Sequence, residues 1–155
     1  MKFCLLDRIV EFTAGQRIVA VKAVTLAEEY LADHFPTFPV LPGVMMLEAL
    51  VEAATCLVWD GLDFAPSVVL LREAKNVTYR SFVRPGDVLR VEVTCSRLAA
   101  AESDFAGVGS CGGAEVVKGR FGLRHFSLAE RDGGPDSADR KLRQAARERF
   151  AALRK

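Results

Sequence analysis

Residues 44–59 read Val-Met-Met-Leu-Glu-Ala-Leu-Val-Glu-Ala-Ala-Thr-Cys-Leu-Val-Trp. The run is too long for an ordinary strand and is rich in Leu, Met, Ala and Glu, which favour helix. It is apolar on nearly every face, and a helix of that kind is buried. Pro42-Gly43 opens it and the Gly61–Pro66 region closes it, so the sequence predicts one long central helix over about 43–59. Upstream, residues 4–12 and 17–25 are β-branched apolar runs around Thr13-Ala14-Gly15-Gln16, the pattern of a hairpin. Downstream, 67–72, 75–83, 88–98 and 114–126 are strand-like, with Arg84-Pro85-Gly86-Asp87 as a turn. The small, glycine-rich stretch 99–113 reads as a connection. One buried helix and five or six mostly antiparallel strands predict an α+β fold in which a curved sheet wraps the helix.

The rest of the composition narrows the function. A chain of 155 residues, half of them hydrophobic, supports one domain with a sizeable core. The formal charge of +1 excludes a general nucleic-acid binder, and no apolar run free of charge and proline is long enough for membrane insertion. Asp7 and Arg8 interrupt the N-terminal apolar stretch, which therefore does not read as a signal peptide. The cysteines at 4, 56, 95 and 111 form no CxxC pair and have no histidine close by, so no metal site is expected. Reduced thiols and no export signal predict a cytoplasmic protein. Gly107-Val108-Gly109-Ser110-Cys111-Gly112 matches a dinucleotide fingerprint in letters only, because a turn and a strand follow it where a helix is required. No cofactor is expected.

The chain changes character near residue 130. Residues 1–129 form the expected main domain, and 130–155 a linker and a basic helical tail. Arg140 to Lys155 carries seven basic residues and one acid, with a narrow stripe of Leu142, Ala146, Phe150 and Leu153. The tail reads either as a solvated helix docked weakly on the domain or as a basic contact surface for an acidic partner.

Only two histidines are present, and His125 lies in a strand run where a structural role is expected. The other, His34, begins a loop with prolines at 36, 39 and 42, which fix φ repeatedly and hold side chains in place. Gly43 follows, at a helix N-terminus whose N–H groups are unpaired and partly positive. Glu48 lies one turn in, and Glu52 stands on the same face at i+4. Burial and the like charge raise the pKa of at least one carboxyl. A backbone N–H on a carbonyl, a histidine base and a protonated carboxyl together equip a site for β-elimination of water from a 3-hydroxyacyl compound.

The series His34-Phe35-Pro36, Pro39-Val40, Pro42-Gly43-Val44 and Glu48-Ala49 resembles the signature of the 3-hydroxyacyl-acyl-carrier-protein dehydratases. Leu5-Leu6-Asp7-Arg8, Gly15-Gln16-Arg17-Ile18-Val19-Ala20 and Arg84-Pro85-Gly86-Asp87 agree, so the resemblance covers roughly 4–126. It implies the hotdog fold and a homo-oligomer, a dimer at least, with a trimer of dimers as the larger option. It also implies that His34 of one chain works beside Glu48 of the other, and that acyl carrier protein delivers the substrate. Gly43 then binds the thioester carbonyl, and an apolar channel along the helix is expected to use Phe38, Val44 and Met45. The chain departs from the pattern at Asp33 and Thr37, where glycine is usual, and at Glu52, where glutamine is common. A non-catalytic acyl-binding subunit and, against the His-Phe-Pro loop, an acyl thioesterase are the competing readings.

Overall fold

The computed structural model describes residues 4–155, with Asp132 described by its backbone alone. The chain runs β1 (Arg8–Thr13), β2 (Arg17–Ala23), a 3-10 turn (Glu29–Leu31), α1 (Gly43–Gly61), β3 (Val68–Tyr79), β4 (Val88–Leu98), β5 (Glu102–Cys111), β6 (Ala114–Phe126), α2 (Leu128–Asp132) and α3 (Asp136–Leu153). The strands form one antiparallel sheet in the order β1-β2-β4-β5-β6-β3. This sheet wraps α1, the hotdog arrangement expected from the sequence. Among the described residues no helix is long and apolar enough to cross a membrane.

Most of α1 is buried against the sheet. Met46, Ala49, Leu50, Ala53, Ala54 and Leu57 face the sheet through Val91, Val93, Phe105, Phe121 and Leu123 of the common core. Small residues bring helix and sheet close. A Cβ on Gly107 of β5 would sit 3.1 Å from Leu50 Cδ2 and 3.2 Å from the Phe121 ring.

Two expectations need correction. The stretch 99–113 is not a plain connection but contains strand β5, whose alternate residues Ser103 and Phe105 point into the core. Its glycines mask the strand signal: Gly107 is pressed by Leu50 of the helix and by Phe121, and Gly109 by Val117 and Leu89 of the sheet. The runs 67–72 and 75–83 are one strand, β3, with register shifts between Leu71 and Glu73 and between Lys75 and Thr78. Asn76, in the second shift, has a φ of 53°, and asparagine tolerates that left-handed region better than most residues.

Helix α3 is fastened to the body at several points. Asp139, almost fully buried, accepts hydrogen bonds from the Leu128 and Ala129 N–H groups, both at 2.9 Å, and from the Ser67 hydroxyl. These partners, the hydroxyl first, hold its carboxyl below the usual range. Arg143 donates to the Ala65 carbonyl and to Ser127 Oγ, both at 2.8 Å. Phe150 meets Phe12 and Phe64 edge-on, at centroid distances of 5.4 and 5.8 Å, and Ala146, Phe150 and Leu153 are buried. Much of the tail's basic charge is thus engaged with the body.

Candidate active site

His34 stands between the 3-10 turn and α1, on a loop tied down at both ends. Phe38 N–H bonds to the Phe35 carbonyl at 2.7 Å, and Leu41 N–H to the Val83 carbonyl at 2.8 Å. Phe35 has a φ of 53°, a left-handed conformation that costs a bulky residue of order 1–3 kcal/mol and marks functional loops. Its ring lies against the half-buried His34 imidazole, 4.5 Å between centroids. The loop hands over to α1 at Pro42, and no side chain caps the helix, so the first N–H groups of Gly43 and Val44 lack a side-chain partner.

A hollow of about 340 Å³ opens beside these groups, lined by His34, Gly43, Met46, Tyr79 and Phe82 among others. A Cβ on Gly43 would press on the Tyr79 ring at 3.2 Å. The glycine therefore leaves room for the ring that forms the opposite wall. The hollow combines an imidazole and an uncapped helix N-terminus with apolar walls, the means to take a proton beside a polarised carbonyl.

Glu48 is elsewhere on the same chain. It lines a second cavity of about 390 Å³ with Val51, Glu52, Cys56, Trp59, Leu71 and Arg149 among its walls. Its residue surface is largely open on the single chain, unlike the buried position expected from the apolar helix. Enough protein surrounds the carboxyl that burial, followed by the charge of Glu52, pushes its pKa up. Glu52 is deeper. It accepts from the Leu5 N–H at 3.2 Å and from Arg149 Nη2 at 3.0 Å. Burial pushes the Glu52 carboxyl up while Arg149 pulls it down. The bonding geometry favours the ionised pair, which also holds the Arg149 guanidinium charged.

The structure thus gathers His34 and Gly43 at one end of α1 and sets Glu48 in a separate cavity. The residues expected to line a channel lie elsewhere. Val44 is 70% exposed, Met45 packs against the core, and Phe38 lies outside the hollow, edge-on to Phe82 at 5.8 Å and beneath Arg84. Met46, Tyr79 and Arg149 were not singled out from the sequence. Met46 is legible at i+3 from Gly43, on the same helix face, whereas Tyr79 and Arg149 arrive through tertiary contacts without a local signal. His125 is buried and shares a 2.9 Å hydrogen bond between Nε2 and Ser103 Oγ, as a structural residue does. Among the described residues no cluster of His, Cys, Asp or Glu could hold a metal ion.

The FabA-like domain family matches residues 1–119. The chain belongs to this family of dehydratases. It is 37% identical over 137 residues to the 3-hydroxyacyl-acyl-carrier-protein dehydratase FabZ of Solibacter usitatus, covering 88% of this chain and 82% of that one. A second FabZ dehydratase, from Myxococcus xanthus, is 37% identical over 121 residues, covering 77% and 79%. Among solved structures, the dehydratase heterocomplex ApeI:P from Xenorhabdus doucetiae aligns with a TM-score of 0.67 at 20% identity, over 82% of this chain and 86% of that chain, and so shares the fold. The family match ends before α2 and α3 begin.

Proposed function

We propose that this chain dehydrates 3-hydroxyacyl thioesters carried on acyl carrier protein to trans-2-enoyl thioesters, as a cytoplasmic homodimer. The single observation that carries the reading is the pairing of His34 with the uncapped Gly43 N–H in one hollow, in a chain of this family. The Gly43 N–H receives the thioester carbonyl and stabilises negative charge on its oxygen. His34 removes the proton from the carbon next to that carbonyl. Glu48 of the partner protomer, whose pKa burial and the charge of Glu52 push up, gives a proton to the departing hydroxyl, and water leaves as the double bond forms.

The position of β3 supports a shared site. It is an edge strand of the sheet, twelve residues long, and exposes Leu70, Leu71 and Tyr79. An edge of that length is a ready template for a second chain. Leu71, near its start, lines the Glu48 cavity, and Tyr79, at its end, lines the His34 hollow. Antiparallel pairing of two β3 strands about a two-fold axis sets the start of one beside the end of the other. The Glu48 cavity of each protomer then meets the His34 hollow of its partner.

Enoyl absorbance with 3-hydroxyacyl thioesters on carrier protein and on coenzyme A tests the reaction. Mixing His34→Ala with Glu48→Gln tests the sharing. Each variant alone should be nearly inactive, whereas a one-to-one mixture that exchanges subunits should regain about a quarter of wild-type activity, because half of the dimers then hold one intact site. No enoyl product from the wild type would leave the chain an acyl-binding subunit. No recovery in mixtures shown to exchange would put both groups on one chain.

A further inference from the structure

The cavity that holds Glu48 runs along a single face of α1. Glu48, Glu52, Cys56 and Trp59 follow at intervals of three and four residues and all line it. At 1.5 Å per residue they span about 16 Å. Exposure falls inward along this face, from open Glu48 through half-buried Glu52 to buried Cys56, whose thiol burial pushes up to about 12. Trp59, the last of the four, is half-buried again, so the most deeply covered part of the slot is at Cys56.

What bounds the slot on one side is α3. Arg149 and Leu153, one turn apart on that helix, both line it. Arg149 bonds to Glu52 at 3.0 Å and to Cys4 Sγ at 3.2 Å. Leu153 is 5% exposed, and neighbouring Phe150 is wedged between Phe12 and Phe64. Together with the buried Asp139, these contacts hold the wall rigid. Helix α3 lies beyond residue 119, where the match to the family domain ends.

We propose that α3 sets the length of acyl chain this protein accepts, with Leu153 as the apolar wall that limits the slot and Arg149 as the polar strap that holds this wall in place. The proposal rests on the dehydratase reading for its ligand, an acyl chain whose reacting carbons lie near Glu48 and whose tail extends along α1. Leu153 is then a specificity-determining residue for the reaction, and Arg149 a positioning residue.

The test is equilibrium binding of saturated acyl-pantetheines, lengthened two carbons at a time, to the full chain and to Leu153→Ala and Leu153→Phe. These ligands lack the 3-hydroxyl, so the measurement does not depend on turnover. Each methylene that gains or loses burial changes affinity by about fourfold. Leu153→Ala should move the preferred length upward and Leu153→Phe downward, read as the ratio of affinities for long and short chains within each protein. Opposite shifts cannot come from a general loss of stability, which lowers all affinities together. An Arg149→Met variant should flatten the length preference by loosening the wall. An unchanged ratio in both Leu153 variants would overturn the proposal, even if dehydration by the wild type is intact. A wild type that makes enoyl product but binds all lengths alike would also overturn it. Shifted ratios in a protein that makes no enoyl product would leave the wall standing and remove only the dehydratase reading.

Discussion

The two ends of α1 are built by opposite means. At the N-terminal end, His34 and Gly43 are held mainly by what the chain does locally: three prolines, a left-handed Phe35 and a short bond from Phe38 N–H to Phe35, with the bond from Leu41 N–H to Val83 as a tie to a distant segment. Further along, Glu52, one turn from Glu48, is held by residues far away in the chain. Arg149 reaches Glu52 across 97 positions, and Leu5 across 47. The loop of the first arrangement is shaped by its own prolines and turn, and the segment 79–83 only closes the hollow over it. The second exists only once α3 has docked. A site assembled in this way divides its risk, since the base is fixed early and locally while the environment of the acid depends on the finished tertiary structure.

Substitutions at the two ends should separate along that line. The largest effect is expected for His34→Ala, which removes the base and should lower turnover by about 10²–10⁴-fold with far-ultraviolet circular dichroism unchanged. Near-normal turnover would mean that the local end is not where the proton is taken. Next is Phe150→Ala, which leaves α1 untouched but undercuts the docking of α3. The buried ring should cost about 3–5 kcal/mol in denaturant unfolding. Amide exchange should quicken across α3 while Leu41, bonded to Val83, stays protected. Equal loss of protection at both ends would erase the distinction drawn between them.

The smallest effect lies in the pH profile. An acid must be protonated to donate, so turnover should fall as pH rises through the raised pKa of Glu48, and this alkaline limb should vanish in Glu48→Gln. Glu52 contributes to that raised value through its charge. Glu52→Gln keeps an acceptor for the Leu5 N–H and removes the charge, so the limb should move to lower pH. An unmoved limb would show that the charge does not reach Glu48. Stability follows the same sign. The fold binds the Glu48 proton more tightly than the unfolded chain does, so this group's contribution to stability declines as pH rises above the ordinary carboxylate range.

These differences also account for what the sequence conveyed. Helix α1, the hairpin and the His34 loop were legible because periodicity, length and proline placement are local signals. Strand β5 was hidden because Gly107 and Gly109 are small for the sake of their neighbours: a Cβ on Gly109 would come within 2.6 Å of Val117. Glu48 was expected inside an apolar helix, and its open position reflects a helix face that the single chain leaves uncovered. The partnership of Glu52 with Arg149 had no local trace, and the same arginine read from the sequence as one charge among seven in a basic tail.

The exposed edge of β3 has a consequence for the chain while it is being made. Its partner in the sheet, β6, begins about 35 residues after β3 ends. At ordinary elongation rates that leaves β3 without either neighbour for roughly 2–7 s. An apolar strand would spend that interval prone to pairing with its counterpart on an adjacent ribosome. The middle of β3 instead carries Arg72, Glu73 and Lys75, beside the two register shifts. Charges and irregular backbone there act as gatekeepers during synthesis, discouraging pairing until β6 covers one edge and a folded second copy is at hand to take the other.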